Sequence, residues 1–231
     1  MSKPKYLTFP IVLLRNSLTN VGECIDNAFD YCLYDCSQRN DLTSEEAAED
    51  LGIDFRKLIE SFKNGKILFE SLPDNSAKTS IRKDMLFDFY KNNKTDFEKL
   101  SFLAFAAIRS ILQRQQYVRL TNKYLLSRMS GNNINDDISP FLKPYTKRYQ
   151  LDKIKNELQL NWGLKMWAIR LRGFYVSFNL SILDLAKIAE SRKAEKANRI
   201  ADLKAQKSNA REAALAEIKE QLKEQQNSTY K

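Results

Sequence analysis

Apolar residues recur at helical spacing through most of this chain and shift to strand-like patterns in only a few short stretches. From about Asn20 to Tyr34, the residues Val21, Cys24, Ile25, Ala28, Phe29, Cys32 and Leu33 fall on one side of an amphipathic helix. Thr43 or Ser44 then caps a short helix ending at Leu51, Gly52 breaks it, and Asp54 caps a further helix from Phe55 to Lys63. The stretch from Ser71 to Ser80 contains Pro73, Asp74, Asn75 and Ser76. This is the composition of a linker, and it places a soft boundary near residue 75. Thr95 and Glu98 have the spacing of a capping box. They open a nearly continuous apolar run, Leu100, Phe102, Leu103, Phe105, Ala106, Ala107, Ile108, Ile111 and Leu112, which predicts a largely buried helix.

Past that helix, Gln116 to Leu120 is short and β-prone, Thr121 or Asn122 caps a helix over Lys123–Met129, and Gly131 with Asn132 stops it. A polar linker containing Pro140 and Pro144 leads to a helix over Thr146–Leu158. Leu151, Ile154 and Leu158 would face a core there, leaving Lys147, Arg148, Gln150, Lys153 and Lys155 outside. Phe174, Val176 and Phe178 alternate with Tyr175 and Ser177, the pattern of a half-buried hairpin strand. The run before them has two readings: a first hairpin strand within Leu164–Leu171, or a helix from Trp162 to Arg172 ended by Gly173. From Ser181 to about Gln225 there is no Pro or Gly, and Ala and charged residues dominate, which predicts one long helix or two in series. Its thin apolar stripe is interrupted by Lys207, so a continuous strong coiled coil is not supported.

The order of these signals between Leu100 and Phe178 (helix, short strand, helix, helix, hairpin) resembles a winged helix-turn-helix. That resemblance implies a fold for roughly a third of the chain and binding to duplex DNA, with the Thr146–Leu158 helix in the major groove and the hairpin as wing. It assigns Lys147, Arg148, Lys153 and Lys155 to phosphates, Gln150 and Asn156 to adenine edges, and Arg170 and Arg172 to the wing tip. Asn122–Gly131 with Leu160–Phe178 also resembles uncharacterised proteins of bacteroidete chromosomes and mobile elements, which implies an origin and adds little about function.

Charge divides the chain. Residues 1–75 hold eight Lys or Arg against thirteen Asp or Glu, whereas residues 76–231 hold thirty against sixteen. The basic part attracts a polyanion through counterion release. The helical unit around Gly52 is rich in acid, with Glu45, Glu46, Glu49, Asp50 and Asp54, and would repel phosphate. It is expected to be scaffold or a docking site for protein.

There is no histidine, which removes the commonest general base and metal ligand and excludes histidine-based hydrolases and most zinc enzymes. Cys24, Cys32 and Cys36 match no zinc spacing and read as buried free thiols. The six glycines form no phosphate-cradling loop, and Asp136-Asp137 sits in an Asn-rich surface turn. No catalytic residue, metal site or cofactor is therefore expected. The apolar run Tyr6–Leu14 is broken by Pro10 and too short to span a membrane, so a cytoplasmic protein is expected.

The expected fold is mainly α: an acidic helical N-terminal unit (1–75), a winged helix-turn-helix core with a small β-hairpin (76–179) and a long charged C-terminal helix (180–231). The expected function is non-enzymatic binding of duplex DNA for regulation, replication or maintenance of a bacterial or mobile genome. The acidic unit would engage a protein partner, and the C-terminal helix would form a homodimer, extend the DNA footprint or stand solvated. The alternative is an assembly or adaptor protein whose basic face and C-terminal helix bind other proteins.

Overall fold

Thr43, Asp54, Thr95 and Thr121 begin four of the helices by accepting hydrogen bonds from backbone N–H groups left without intrahelical partners. In the computed structural model, residues 5–16, 21–39, 41–72, 76–132, 137–169 and 173–228 are described. Strand β1 (Tyr6–Pro10) runs into a 3-10 turn (Ile11–Asn16), followed by helices α1 (Val21–Gln38), α2 (Ser44–Leu51) and α3 (Phe55–Ser71). The Thr43 hydroxyl accepts from the Glu46 N–H at 3.1 Å, and the Glu46 carboxylate accepts from the Thr43 N–H at 2.8 Å, completing a capping box. Gly52 closes α2 in the left-handed region at φ +62, and Asp54 caps α3 through the Arg56 N–H at 2.9 Å. Strand β2 (Lys78–Arg82) leads into α4 (Lys83–Lys91), and Thr95 with Glu98 opens α5 (Asp96–Leu112) as the expected capping box.

The chain divides into two compact units, Met1–Ile182 and Leu183–Lys231. The boundary expected near residue 75 falls inside the first. Strand β1 pairs antiparallel with β2 across it, with Leu7 opposite Ile81 and Phe9 opposite Thr79. Leu7, Phe9 and Ile11 also join the same buried cluster as Phe102, Leu103 and Ile108. Turn-forming residues mark a loop between packed elements as readily as one between domains. Helix α3 is also longer than expected, reaching Ser71 instead of Lys63. It lies tightly on α1: a Cβ at Gly65 would come within 2.1 Å of the Asp30 carbonyl oxygen. The three cysteines are free and buried, as read from sequence, and burial pushes the Cys36 thiol up to about 11.

Beyond α5 come β3 (Val118–Leu120), α6 (Asn122–Met129), a 3-10 segment (Pro140–Thr146), α7 (Arg148–Asn161), β4 (Lys165–Ile169), β5 (Gly173–Ser177) and α8 (Ile182–Ser228). The protein is thus mainly helical, with a small antiparallel hairpin and one long C-terminal helix.

The turn after α5 holds Gln113 at φ +46 and ψ −113, closed by the Gln115 N–H to the Leu112 carbonyl at 2.7 Å. Glycine adopts this conformation without a steric penalty, and glutamine does not. Gln113→Gly should raise stability by about 1 kcal/mol in urea denaturation, net of the extra freedom glycine gives the unfolded chain. A fall in stability would show that the glutamine side chain compensates for its own strain.

Candidate nucleic-acid interface

Leu151, Ile154 and Leu158, spaced to fall on one side of α7, are fully buried and fasten the helix to the core. Leu125, Leu126 and Met129 do the same for α6, whose N-terminus is capped by the Thr121 hydroxyl accepting from the Tyr124 N–H at 3.1 Å. Strands β3, β5 and β4 form a sheet in that order, with Val118 and Met166 both opposite Val176. The segment left open between strand and helix is therefore strand: β4 pairs with β5 from Lys165↔Ser177 to Ile169↔Gly173. Trp162 is spent on packing, with its ring 5.1 Å from Phe105 and 5.9 Å from Phe89. Trp167 is partly exposed, at 37%.

Outward on α7 lie Tyr149, Lys153, Asn156 and Leu160, spaced so that each is a helical turn from the next. Tyr149 is 70% exposed, and the Lys153 ammonium sits 4.6 Å from its ring centroid. Arg148 projects into solvent, 3.4 Å from Asp152. Lys147 is exposed at the N-cap and makes no capping hydrogen bond, so no side chain of the cap occupies the first N–H groups of α7. Asn156 is exposed and Gln150 half-buried. Arg170 and Arg172 lie outside the described residues.

Lys155 is not on the solvent face, contrary to the sequence expectation. It is 5% exposed; its Nζ donates to Asn122 Oδ1 at 2.7 Å and Asp152 Oδ1 at 3.1 Å and lies 4.5 Å from the Phe174 ring centroid. It ties α7 to the start of α6 and to β5. Burial lowers its pKa, with Asp152 opposing that shift. The missed signal was position: Lys155 is four residues after Leu151 and three before Leu158, within the wide apolar stripe of a core-facing helix. Arg128 of α6 is also buried; its Nη2 donates to Tyr124 Oη at 2.8 Å.

The surrounding sequence is strongly basic: residues 99–173 hold fourteen Lys or Arg against four Asp or Glu. One of those acids, Asp152, is engaged by Arg148 and Lys155. Among the described residues, no cluster of His, Cys, Asp and Glu could hold a metal, and no helix is long and apolar enough to cross a membrane. Comparison with known protein families, curated proteins and solved structures finds no match.

Proposed function

We propose that this protein binds duplex DNA without catalysis, through a winged helix-turn-helix in which α7 is the recognition helix and the β4–β5 hairpin is the wing. It would serve regulation, replication or maintenance of a bacterial or mobile genome. The reading rests on one observation: the succession α5, β3, α6, α7, β4, β5 with sheet order β3-β5-β4 leaves the polar side of α7 outward on a basic segment. Lys147, Arg148 and Lys153 take phosphates, helped by the uncapped N–H groups at the start of α7. Asn156 and Gln150 are the residue types that read adenine edges. Arg170 and Arg172, between the two hairpin strands in sequence, remain the proposed wing contacts. Lys155 holds α7 in place and leaves the set of DNA contacts.

The assembly-protein reading is supported by a different observation. Ile200, Leu203, Leu215 and Ile218 of α8 are 44–51% exposed, an apolar stripe that DNA binding does not require.

Anisotropy of a labelled random-sequence duplex, titrated with the full chain between about 50 and 200 mM salt, separates the two. Steep salt dependence is expected. Arg148→Glu with Lys153→Glu should weaken binding roughly tenfold or more and reduce the salt slope by about 2, the share of two lost phosphate contacts. Unchanged affinity in that variant removes α7 from the mechanism. Absence of binding by the unaltered protein at the lowest salt favours the assembly reading.

A further inference from the structure

Three consecutive residues of β2, Ser80, Ile81 and Arg82, line one open groove of about 590 Å³. Successive side chains of a strand point to opposite faces, so a groove that touches all three looks onto the strand's edge. The hydrogen-bond parity of the ladder agrees. The Lys83 N–H donates to the Lys5 carbonyl at 3.1 Å and the Ile11 N–H to the Ala77 carbonyl at 2.7 Å. In the antiparallel register of β1 and β2, the hydrogen-bonded pairs are therefore those that include Leu7 with Ile81 and Phe9 with Thr79. The intervening pairs, Tyr6 with Arg82 and Thr8 with Ser80, turn their backbone groups outward. The N–H and C=O of Ser80 and the N–H of Arg82 thus point away from β1, while the Arg82 carbonyl, at the N-cap, opens the hydrogen bonding of α4; among the described residues no third strand joins this sheet.

The far wall of the groove is aromatic and, among the described residues, carries one charge without an opposite partner. Phe105 stands between Trp162 and Phe178, with ring centroids 5.1 and 5.2 Å away. The Arg109 guanidinium lies 5.7 Å from the Phe178 centroid. The other charged groups in the groove have partners: Arg82 binds Asp84, and Asp88 binds Lys94. Among the described residues, no carboxylate pairs with Arg109.

We infer that this groove receives an extended acidic peptide segment of a partner protein, added as a third strand on β2. Main-chain hydrogen bonds to Ser80 and Arg82 supply affinity that any sequence can use. Selectivity comes from an apolar, best aromatic, side chain lodged against Phe105, Trp162 and Phe178, and from a carboxylate on Arg109, where stacking on Phe178 fixes the guanidinium. The site meets only the C-terminal end of α7, at Asn161 and the C-cap Trp162, and leaves the outward residues Arg148 and Lys153 and the hairpin tip unused, so it stands whether or not the protein binds DNA.

The test uses the full chain and two labelled pentapeptides, one with a phenylalanine and an aspartate two residues apart, on the same face of an extended strand, and the other with lysine in place of that aspartate. The aspartate peptide should bind and the lysine peptide should not. Arg109→Ala should weaken binding about tenfold, the size of one charge-assisted hydrogen bond, and Arg109→Lys should restore most of it. Amide hydrogen exchange on the unaltered protein supplies a readout that does not depend on a variant folding. Exchange at Ser80 and Arg82 should slow on binding, while Ile81, already bonded to β1, should not change. Equal binding of the two peptides, binding of neither, or no change at the Ser80 and Arg82 amides overturns the proposal.

Discussion

Lys155→Glu should unfold or nearly unfold the protein, whereas Lys155→Met should be tolerated. The ammonium of Lys155 is enclosed by Asn122, Asp152 and the Phe174 ring, and its charge is carried by two oxygen acceptors and a π face. Glutamate at this position sets a second carboxylate beside Asp152 and an anion against the ring. Leaving a buried charge uncompensated costs about 3–5 kcal/mol, a large part of the roughly 5–15 kcal/mol that holds a domain folded. Methionine fills the channel of the lysine stem without branching and brings no charge to bury. The groups it leaves behind can turn to water, since Asn122 is only half-buried and the Asp152 side chain is 40% exposed. Its cost should stay within about 1 kcal/mol. Urea denaturation followed by circular dichroism measures both, and a Lys155→Glu variant as stable as the unaltered protein would mean that this site is not closed to water. On the proposed DNA reading, folded Lys155→Met should bind duplex as the unaltered protein does; a large loss would return Lys155 to the proposed DNA contacts.

The same pair of proteins reads out the Lys155 charge through pH. Burial lowers the folded-state pKa below the ordinary lysine value, so between the two values the unfolded chain binds more protons than the folded one. In that window stability rises with pH, because folding no longer has to carry a desolvated charge. The advantage of the unaltered protein over Lys155→Met should therefore grow as pH approaches about 10.4. A difference that stays flat or shrinks across the same range would contradict the burial argument.

Helix ends were legible because their chemistry is local. Thr43, Asp54, Thr95 and Thr121 each cap through a backbone N–H two or three residues ahead, and Gly52 ends α2 in a conformation few other residues accept. The β1–β2 pair was not legible, because its partners, such as Thr8 and Ser80, are 72 positions apart and β2 has little apolar content. Thr79 is buried in β2 because its hydroxyl donates to the Ala106 carbonyl at 3.0 Å, a partner that no local pattern announces. The strand or helix choice for the residues after Trp162 was equally non-local: the run is apolar either way, and β5 decides it by pairing along the whole of β4. At the proposed interface, the wheel of α7 correctly separated Leu151, Ile154 and Leu158 from Lys147, Arg148 and Lys153. It failed at Lys155, where residue type suggested solvent and helical position suggested core.

Gly173→Ala should cost far more than Gly163→Ala, although both glycines have positive φ. Gly163, at φ +71, has nothing within 4 Å of where a Cβ would stand, so alanine there pays only for the left-handed backbone, about 1–2 kcal/mol. Gly173, at φ +98, starts β5, and its Cβ would fall 2.2 Å from the Leu120 carbonyl oxygen of β3. The obstacle is backbone and cannot swing aside as a flexible side chain does. Alanine must therefore push β5 off β3 at the Leu120↔Phe174 pair or give up its own pairing with Ile169. The loss should reach about 2–4 kcal/mol once backbone strain and broken sheet pairing add. Comparing the two variants in urea isolates the close approach from the φ penalty that they share. Equal losses would show that β3 and β5 can part there without cost. On the proposed DNA reading, folded Gly173→Ala should also bind duplex more weakly, because the displaced strand is the one that sets the hairpin beside α7. Gly163→Ala, which leaves that strand in place, should bind as the unaltered protein does.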